Sequence, residues 1–293
     1  MINNIDKKQC TGCKMCADIC PKGAIYFETD EQGFWYPKVN NNCVKCELCL
    51  KKCPALNENG NVTNNPGVYS VWSKNDETRI SSTSGGAFWE IAYHFLADGG
   101  IVVGSRYRKD WQSAEHAIAR SVEELLEIKG SKYFQSDTEG IYKAVKEELI
   151  KGTKVLFCGT PCQIAAIKSF LGKEYVNLYC MDFICRSINS PKAFKAYIEE
   201  LEKEYNSKVV EVHLKNKKYG WQSLASQVKF DNGQESIRDK NQDWWVRGFI
   251  FNDLYTRESC YNCQYKVLPR LNSDITIGDF WGIENSYPNI DPG

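Results

Sequence analysis

Two twelve-residue blocks, "CTGCKMCADICP" and "CVKCELCLKKCP", carry the same cysteine spacing and tightly limit what the start of this chain can become. Cys10, Cys13, Cys16 and Cys20 follow Cys-x2-Cys-x2-Cys-x3-Cys-Pro, and Cys43, Cys46, Cys49 and Cys53 repeat it through Pro54. Such a triplet wraps a tight loop around a 4Fe-4S cubane, while the fourth cysteine, starting a short helix, points at a second cluster. The ligand sets then cross: Cys10, Cys13, Cys16 and Cys53 on one cluster, Cys43, Cys46, Cys49 and Cys20 on the other. Zinc ribbons use two pairs across a longer gap rather than triplets with a trailing Cys-Pro. Disulfides are rare in a reducing compartment. That compartment is the expected one: "MINNIDKKQC" has no apolar signal core, and no window approaches the eighteen or so apolar residues of a membrane span, so the chain reads as cytoplasmic.

This segment, residues 1–56, resembles bacterial-type two-cluster ferredoxins, which move single electrons and do no substrate chemistry themselves. The next stretch, "NENGNVTNNPG" at 57–67, has the composition of a linker. Residues 68–293 are then a second, larger domain, in keeping with the chain length. Basic and acidic side chains both number 37, which gives no general pull toward nucleic acid or anionic lipid.

Beyond the linker, helix and strand signals alternate. "VYSVWS" predicts a strand, and Phe88, Trp89, Ala92, Phe95 and Leu96 recur at helical spacing before "IVVGSRY" predicts another strand. "GIYKAVKEELIKG" is an amphipathic helix, "KVLFC" a buried strand, "CQIAAIKSFLG" a helix ending on Gly172, and "VNLYCMDFI" a further strand. "VVEVHLK" and "SQVKF" read as strands of a more antiparallel region. The expected fold class is α+β to mixed α/β: a small ferredoxin-like dicluster domain, then a mixed-sheet domain.

Six cysteines remain: Cys158, Cys162, Cys180, Cys185, Cys260 and Cys263. Cys162 follows a predicted strand and opens a helix, with Thr160 as N-cap and Pro161 at the first helical position. Cys185 ends another predicted strand, so both thiols belong near strand C-termini, where open α/β sheets build their sites. Spacing alone does not decide their role, because a buried free cysteine is an ordinary small hydrophobe. The succession "STSGGAFWEIAYHFLADGGIVVGSRY", "GSKYFQS", "VLFCGTPCQIAAIKSFL", "DFIC", "ESCYNCQYK" and "SDITIGDFWG" resembles the coenzyme F420 hydrogenase/dehydrogenase beta-subunit family. The resemblance implies a third 4Fe-4S cluster on Cys162, Cys185, Cys260 and Cys263, and a flavin, FAD or FMN, beside it. Cys158 and Cys180 fall outside those motifs and read as core. The chain stops at "NIDPG", soon after "GDFWG", where relatives continue, which suggests a shortened C-terminus.

A flavin also suits the electron count, since clusters carry electrons singly and most organic reductions need two. Its phosphates need backbone N–H donors at a helix start, and Ser84, Gly85 and Gly86 supply hydroxyl and unhindered glycines before the helix at 87–98. Gly159 with Thr160, and Ser131 with Lys132, offer further anion-facing turns. All are equally ordinary caps and turns; the family resemblance favours the first. No G-x-G-x-x-G follows a strand, which disfavours a nicotinamide site. His94, His116 and His213 form no ligand spacing, and no catalytic residue is named. Trp244, Trp245, Phe280 and Trp281 suit core packing more than ring stacking, and Asp279 suits a flavin hydrogen bond or a turn cap.

The expected function is a flavin-dependent oxidoreductase linking a ferredoxin or other redox protein to a small organic substrate or deazaflavin coenzyme, with a place in an oligomer or complex open. Two other readings stand beside it: a non-catalytic electron-transfer subunit, and a redox sensor cycling Cys260 and Cys263 between dithiol and disulfide.

Overall fold

The structure, a computed structural model, describes residues 1–57, 66–268, 272–282 and 285. Most of the expected linker and the "NIDPG" end lie outside them. The N-terminal module consists of α1 (Met15–Asp18), the antiparallel hairpin β1 (Ile25–Thr29) and β2 (Trp35–Val39), and α2 (Leu48–Lys51). Its core is a few side chains, Ile2, Cys16 and Cys53 against Ile25, Phe27 and Val39. A core so small leaves most of the module's stability to its cofactors and to what it packs on.

After α3 (Asp76–Ser81) and α4 (Ala87–Ala97), the chain builds β3 (Ile101–Tyr107), β4 (Ala114–Ala119), α5 (Val122–Ile128), α6 (Ile141–Ile150), β5 (Val155–Cys158), α7 (Pro161–Leu171) and β6 (Leu178–Phe183). With β10 (Ile275–Ile277) these strands form a five-stranded sheet in the order β10-β6-β5-β3-β4, parallel except for β4 at one edge. Strand side chains alternate between faces. Ile101, Val103, Val155 and Phe157 therefore face α6 and α7, while Val102, Leu156 and Met181 face α4 and α5. Both faces are covered, which is why these strands read as continuous apolar runs rather than as alternation. Each large side chain buried this way contributes about 1.5–3 kcal/mol.

The expected strand at 68–73 does not form: Val68 and Tyr69 are 88% and 81% exposed, and the segment is tied to the fold through Ser73, whose N–H donates to the Gly85 carbonyl at 2.7 Å. Apolar alternation makes a strand only where a partner strand pairs with it, and this segment pairs with none among the described residues but packs against the start of α4 through Gly85.

A second layer follows. Phe194, Tyr197, Ile198 and Leu201 recur along one face of α8 (Pro191–Tyr205) and cover the antiparallel sheet of β7 (Val209–Asn216), β8 (Ala225–Phe230) and β9 (Glu235–Arg238). Trp245 lies buried in the same cluster, stacked on Tyr255.

The N-terminal module docks on the larger domain through many polar contacts. Asp18 accepts from the Gly140 and Tyr142 N–H groups at 2.8 and 3.1 Å, capping α6 from outside its own segment. Thr138 and Tyr142 hydroxyls donate to the Cys13 carbonyl, and Lys14 pairs with Asp137 and Glu139. Ser169 donates to the Lys52 carbonyl, and Gln264 to that of Pro54.

Candidate functional site

The two cysteine blocks fold alike. Gly12 and Lys45 occupy equivalent positions with φ of 68° and 55°, as do Lys14 and Glu47 with φ of 57° and 60°. These left-handed residues bend each loop before its four-residue helix. Cys16 and Cys49 lie within α1 and α2, while Cys20 and Cys53 follow those helices. The fourth cysteine thus ends a helix rather than starting one, because the turn that carries it is closed by the Pro behind it.

The neighbours are those that crossed sets require, with one overlap: Cys16 has Cys13, Cys10 and Cys53 near it and Cys49 as well, Cys53 has Cys13 and Cys10, and Cys49 has Cys20. A cavity of about 300 Å³ is lined by all of Cys20, Cys43, Cys46 and Cys49. Burial pushes the Cys13 and Cys16 thiols up and takes Cys53 to about 12. The first set is the more enclosed one; Cys46 of the second is exposed.

Cys162 is the second residue of α7, whose start is fixed by Pro161 and by Thr160, its N–H donating to Gln163 Oε1 at 2.9 Å. The Thr160 hydroxyl lies 3.1 Å from Cys162 Sγ. Cys162 packs with Cys260, Cys263, Ile188 and Tyr265, and the charged neighbours acting on it are Cys185, Cys260 and Cys263. Residues far apart in sequence, from Cys162 to Cys263, are thereby brought to one place near the C-terminal ends of β5 and β6. Cys185 lies two residues past the end of β6 instead of in it. Burial pushes Cys162 and Cys260 up, and the Ile188 N–H donates to Cys260 Sγ at 3.4 Å. Tyr265 spans two sites: the thiols acting on it are Cys162, Cys13 and Cys53.

These donor sets are soft thiols, which suit iron–sulfur clusters. Among the described residues, no group of three or more His, Cys, Asp or Glu side chains is close enough to hold a single metal ion. Zn–S bonds of ~2.3 Å would draw four sulfurs much closer together than a cubane does. All fourteen cysteines are free thiols. Cys158 and Cys180 sit on neighbouring strands, Cys180 fully buried, and burial raises both.

Of the flavin candidates, Gly86 is the N-cap of α4 with φ of 88°, and a Cβ there would lie 3.1 Å from that of Ser73. No side chain caps this helix start, which leaves its first N–H groups to another partner. Lys217 donates to the Ser84 and Arg79 carbonyls and holds the loop in place. Ser131 reaches Thr83 at 3.5 Å. Lys132 is otherwise engaged: its ammonium donates to the carbonyls of Glu127, Ile128, Lys129 and Gly130 at the end of α5, although burial takes its pKa down to about 7. Thr160 is committed to the α7 cap, and the Gly159 N–H donates to the Met181 carbonyl at 3.1 Å.

Sequence reasoning missed Lys215, Lys217 and Trp221. Lys215 is buried, pairs with Asp279 and lies over both Trp221 and Trp281, which stack at 4.0 Å. Asp279 is therefore held by a lysine rather than by a turn. Tyr133 is raised to about 12 by burial, with Asp279 among its charged neighbours, so this aromatic–ionic group adjoins the Ser131 turn.

Models for the coenzyme F420 hydrogenase/dehydrogenase beta subunit match residues 68–143 with the N-terminal part and 152–290 with the C-terminal part. The chain belongs to the coenzyme F420 hydrogenase/dehydrogenase beta-subunit family. A 4Fe-4S dicluster model matches residues 9–57, so this family member is an iron–sulfur electron-transfer protein of an oxidoreductase family. An uncharacterised ferredoxin of Methanocaldococcus jannaschii is 38% identical over 50 residues, 17% of this chain and 65% of that protein. A second uncharacterised protein of that organism is 49% identical over 39 residues, 13% of this chain and 16% of its own length. The chain thus spans less than two thirds of either relative. A chain of the F420-reducing NiFe hydrogenase complex from Methanosarcina barkeri aligns with 18% identity and a TM-score of 0.40 over 58% of this beta-subunit-family chain and 59% of its own. No helix among the described residues is long and apolar enough to cross a membrane.

Proposed function

We propose that this protein is an iron–sulfur flavoprotein oxidoreductase passing electrons between a ferredoxin-like partner and an organic substrate that gives or takes hydride, either a deazaflavin coenzyme or a biosynthetic intermediate. In this reading Cys10, Cys13, Cys16 and Cys53 hold an inner cluster, Cys20, Cys43, Cys46 and Cys49 an outer one, and Cys162, Cys185, Cys260 and Cys263 a third. FAD or FMN lies against Ser84, Gly85, Gly86 and Ser131, with Lys132, Gly159 and Thr160 shaping the adjacent turns. Bound there, the clusters would carry single electrons and the flavin would exchange them in pairs.

The observation that carries the reading is the meeting of Cys162, Cys185, Cys260 and Cys263 beside Tyr265, whose other thiol neighbours belong to the inner set. That neighbourhood supports an order of outer, inner, third. The exposed Cys46 rim faces an external partner, and the buried inner thiols are shielded from water. Burial that raises Cys260 runs against an activated redox dithiol, which needs a lowered pKa.

Anaerobic reconstitution with iron and flavin counting tests this. We expect about twelve irons per chain, four for each of three cubanes. Cys185→Ser should leave about eight, because a hydroxyl is a poor iron ligand at neutral pH. Eight in the wild type would remove the third cluster. Lys217→Met should free the 79–86 loop and lower flavin content at unchanged iron; full flavin retention would move that site elsewhere.

A further inference from the structure

Arg257 is fully buried, and no carboxylate pairs with it among the described residues. Its guanidinium donates to neutral acceptors: Nε to the Cys10 carbonyl at 2.8 Å, Nη1 to Gln135 Oε1 at 2.9 Å and Nη2 to the Trp35 carbonyl at 3.1 Å. The Tyr36 and Phe34 rings lie 4.4 and 5.2 Å from it. A buried cation without a counter-charge is strongly unfavourable. Its place in the fold calls for negative charge of another kind close by.

Two thiol sets lie near this residue: its guanidinium donates to the Cys10 carbonyl at 2.8 Å, and its backbone is tied to Cys260, three residues on, whose N–H donates to the Arg257 carbonyl at 2.9 Å. The guanidinium charge acts on both Cys13 and Cys260, in each case against the larger upward push of burial. Gly12 carries the mark of the same contact. Lys45, its counterpart in the second block, shows that the left-handed φ does not itself require glycine. A Cβ at Gly12, however, would lie 2.4 Å from Gln135 Nε2 and 2.8 Å from Arg257 Nη1. The first loop is cut back to admit the guanidinium, and the second is not.

We infer that Arg257 is a fixed charge shared by the inner and third cluster sites, stabilising the more negative, reduced state of both and setting their reduction potentials above that of the outer site. Away from solvent such a charge is little screened, whereas the outer set lies nearer water. The inference rests on the cluster assignments proposed above. It adds a direction: a single electron arriving at the exposed Cys46 rim moves inward downhill.

The test uses the full chain reconstituted anaerobically, with iron counted first, because a wild type holding fewer than about twelve irons refutes the cluster assignment and not the role of Arg257. Potentials are then read by redox titration with EPR detection, the third signal being identified by its loss in Cys185→Ser. In Arg257→Gln the inner and third sites should each shift at least tenfold toward the oxidised form, about 59 mV for one electron, with the outer site unmoved. Arg257→Lys, which keeps the charge, should restore most of the shift. Equal shifts at all three sites, no shift, or a lysine variant as altered as the glutamine variant would overturn the proposal. Should Arg257→Gln lose iron, Gln135→Glu decides, since it sets a carboxylate against the guanidinium in place. Lowered inner and third potentials there support the shared charge, and unchanged ones refute it.

Discussion

His116 is buried against Phe157, with Nδ1 2.9 Å from Ser136 Oγ, and burial lowers its pKa from 6.5 to about 4. Because the folded state resists the proton that the unfolded chain accepts, the histidine's contribution is complete above pH 6.5 and is lost as pH falls toward 4. The full loss amounts to about 3 kcal/mol. His116→Gln should therefore flatten the dependence of unfolding free energy on pH between those values, measured by denaturant titration of both proteins; parallel curves would show that other groups set the acid limit. The same residue illustrates what sequence does and does not convey at this scale. Spacing alone could not say which histidine is core: His94 and His213 are exposed and His116 is buried. Arg257 was no more legible, although it stands three residues before Cys260, because a lone arginine carries no sign of burial until the partners that enclose it are known.

Helix α6 was legible as an amphipathic run, but its cap was not, since Asp18 reaches it from the other domain. Side-chain caps contribute about 0.5–2 kcal/mol. Asp18→Ala should weaken the docking of the N-terminal module by roughly that much and show faster hydrogen exchange in the first turn of α6. Unchanged exchange there would mean that water takes over the cap. Strands β5 and β6 were evident because burial on both faces makes them continuous apolar runs. β4 was missed, its "AEHAIA" carrying too little apolar contrast, and the stretch at 68–73 was misread because it pairs with no described strand and leaves its apolar side chains exposed. The cluster motifs divide along the same line. Eight cysteines are local to their loops, so spacing alone proposes their sets, whereas Cys162, Cys185, Cys260 and Cys263 come from two strand ends and a distant turn, so that only the family resemblance proposes them as one set.

Across the whole molecule, the N-terminal module is gripped rather than merely tethered. Gln135 and Arg257 hold the Thr11–Gly12 loop, Asp18 and Lys14 lock its α1 side, and Ser190 and Lys192 take the Gln32 and Glu31 carbonyls of its hairpin turn. A carrier swinging on a flexible linker would deliver its electron at a rate set by diffusion of the tether, governed by linker reach and effective concentration. Here that search is already over before an electron arrives. Internal reduction should thus be first order, indifferent to protein concentration and to added sucrose, when followed by stopped-flow after reduction of the module. A rate falling in proportion to solvent viscosity would instead mean that the module undocks on every turnover. Under the proposed function, a motionless relay would confine any waiting to the two ends of the path, at the encounter with an external redox partner and at the exchange with the organic substrate.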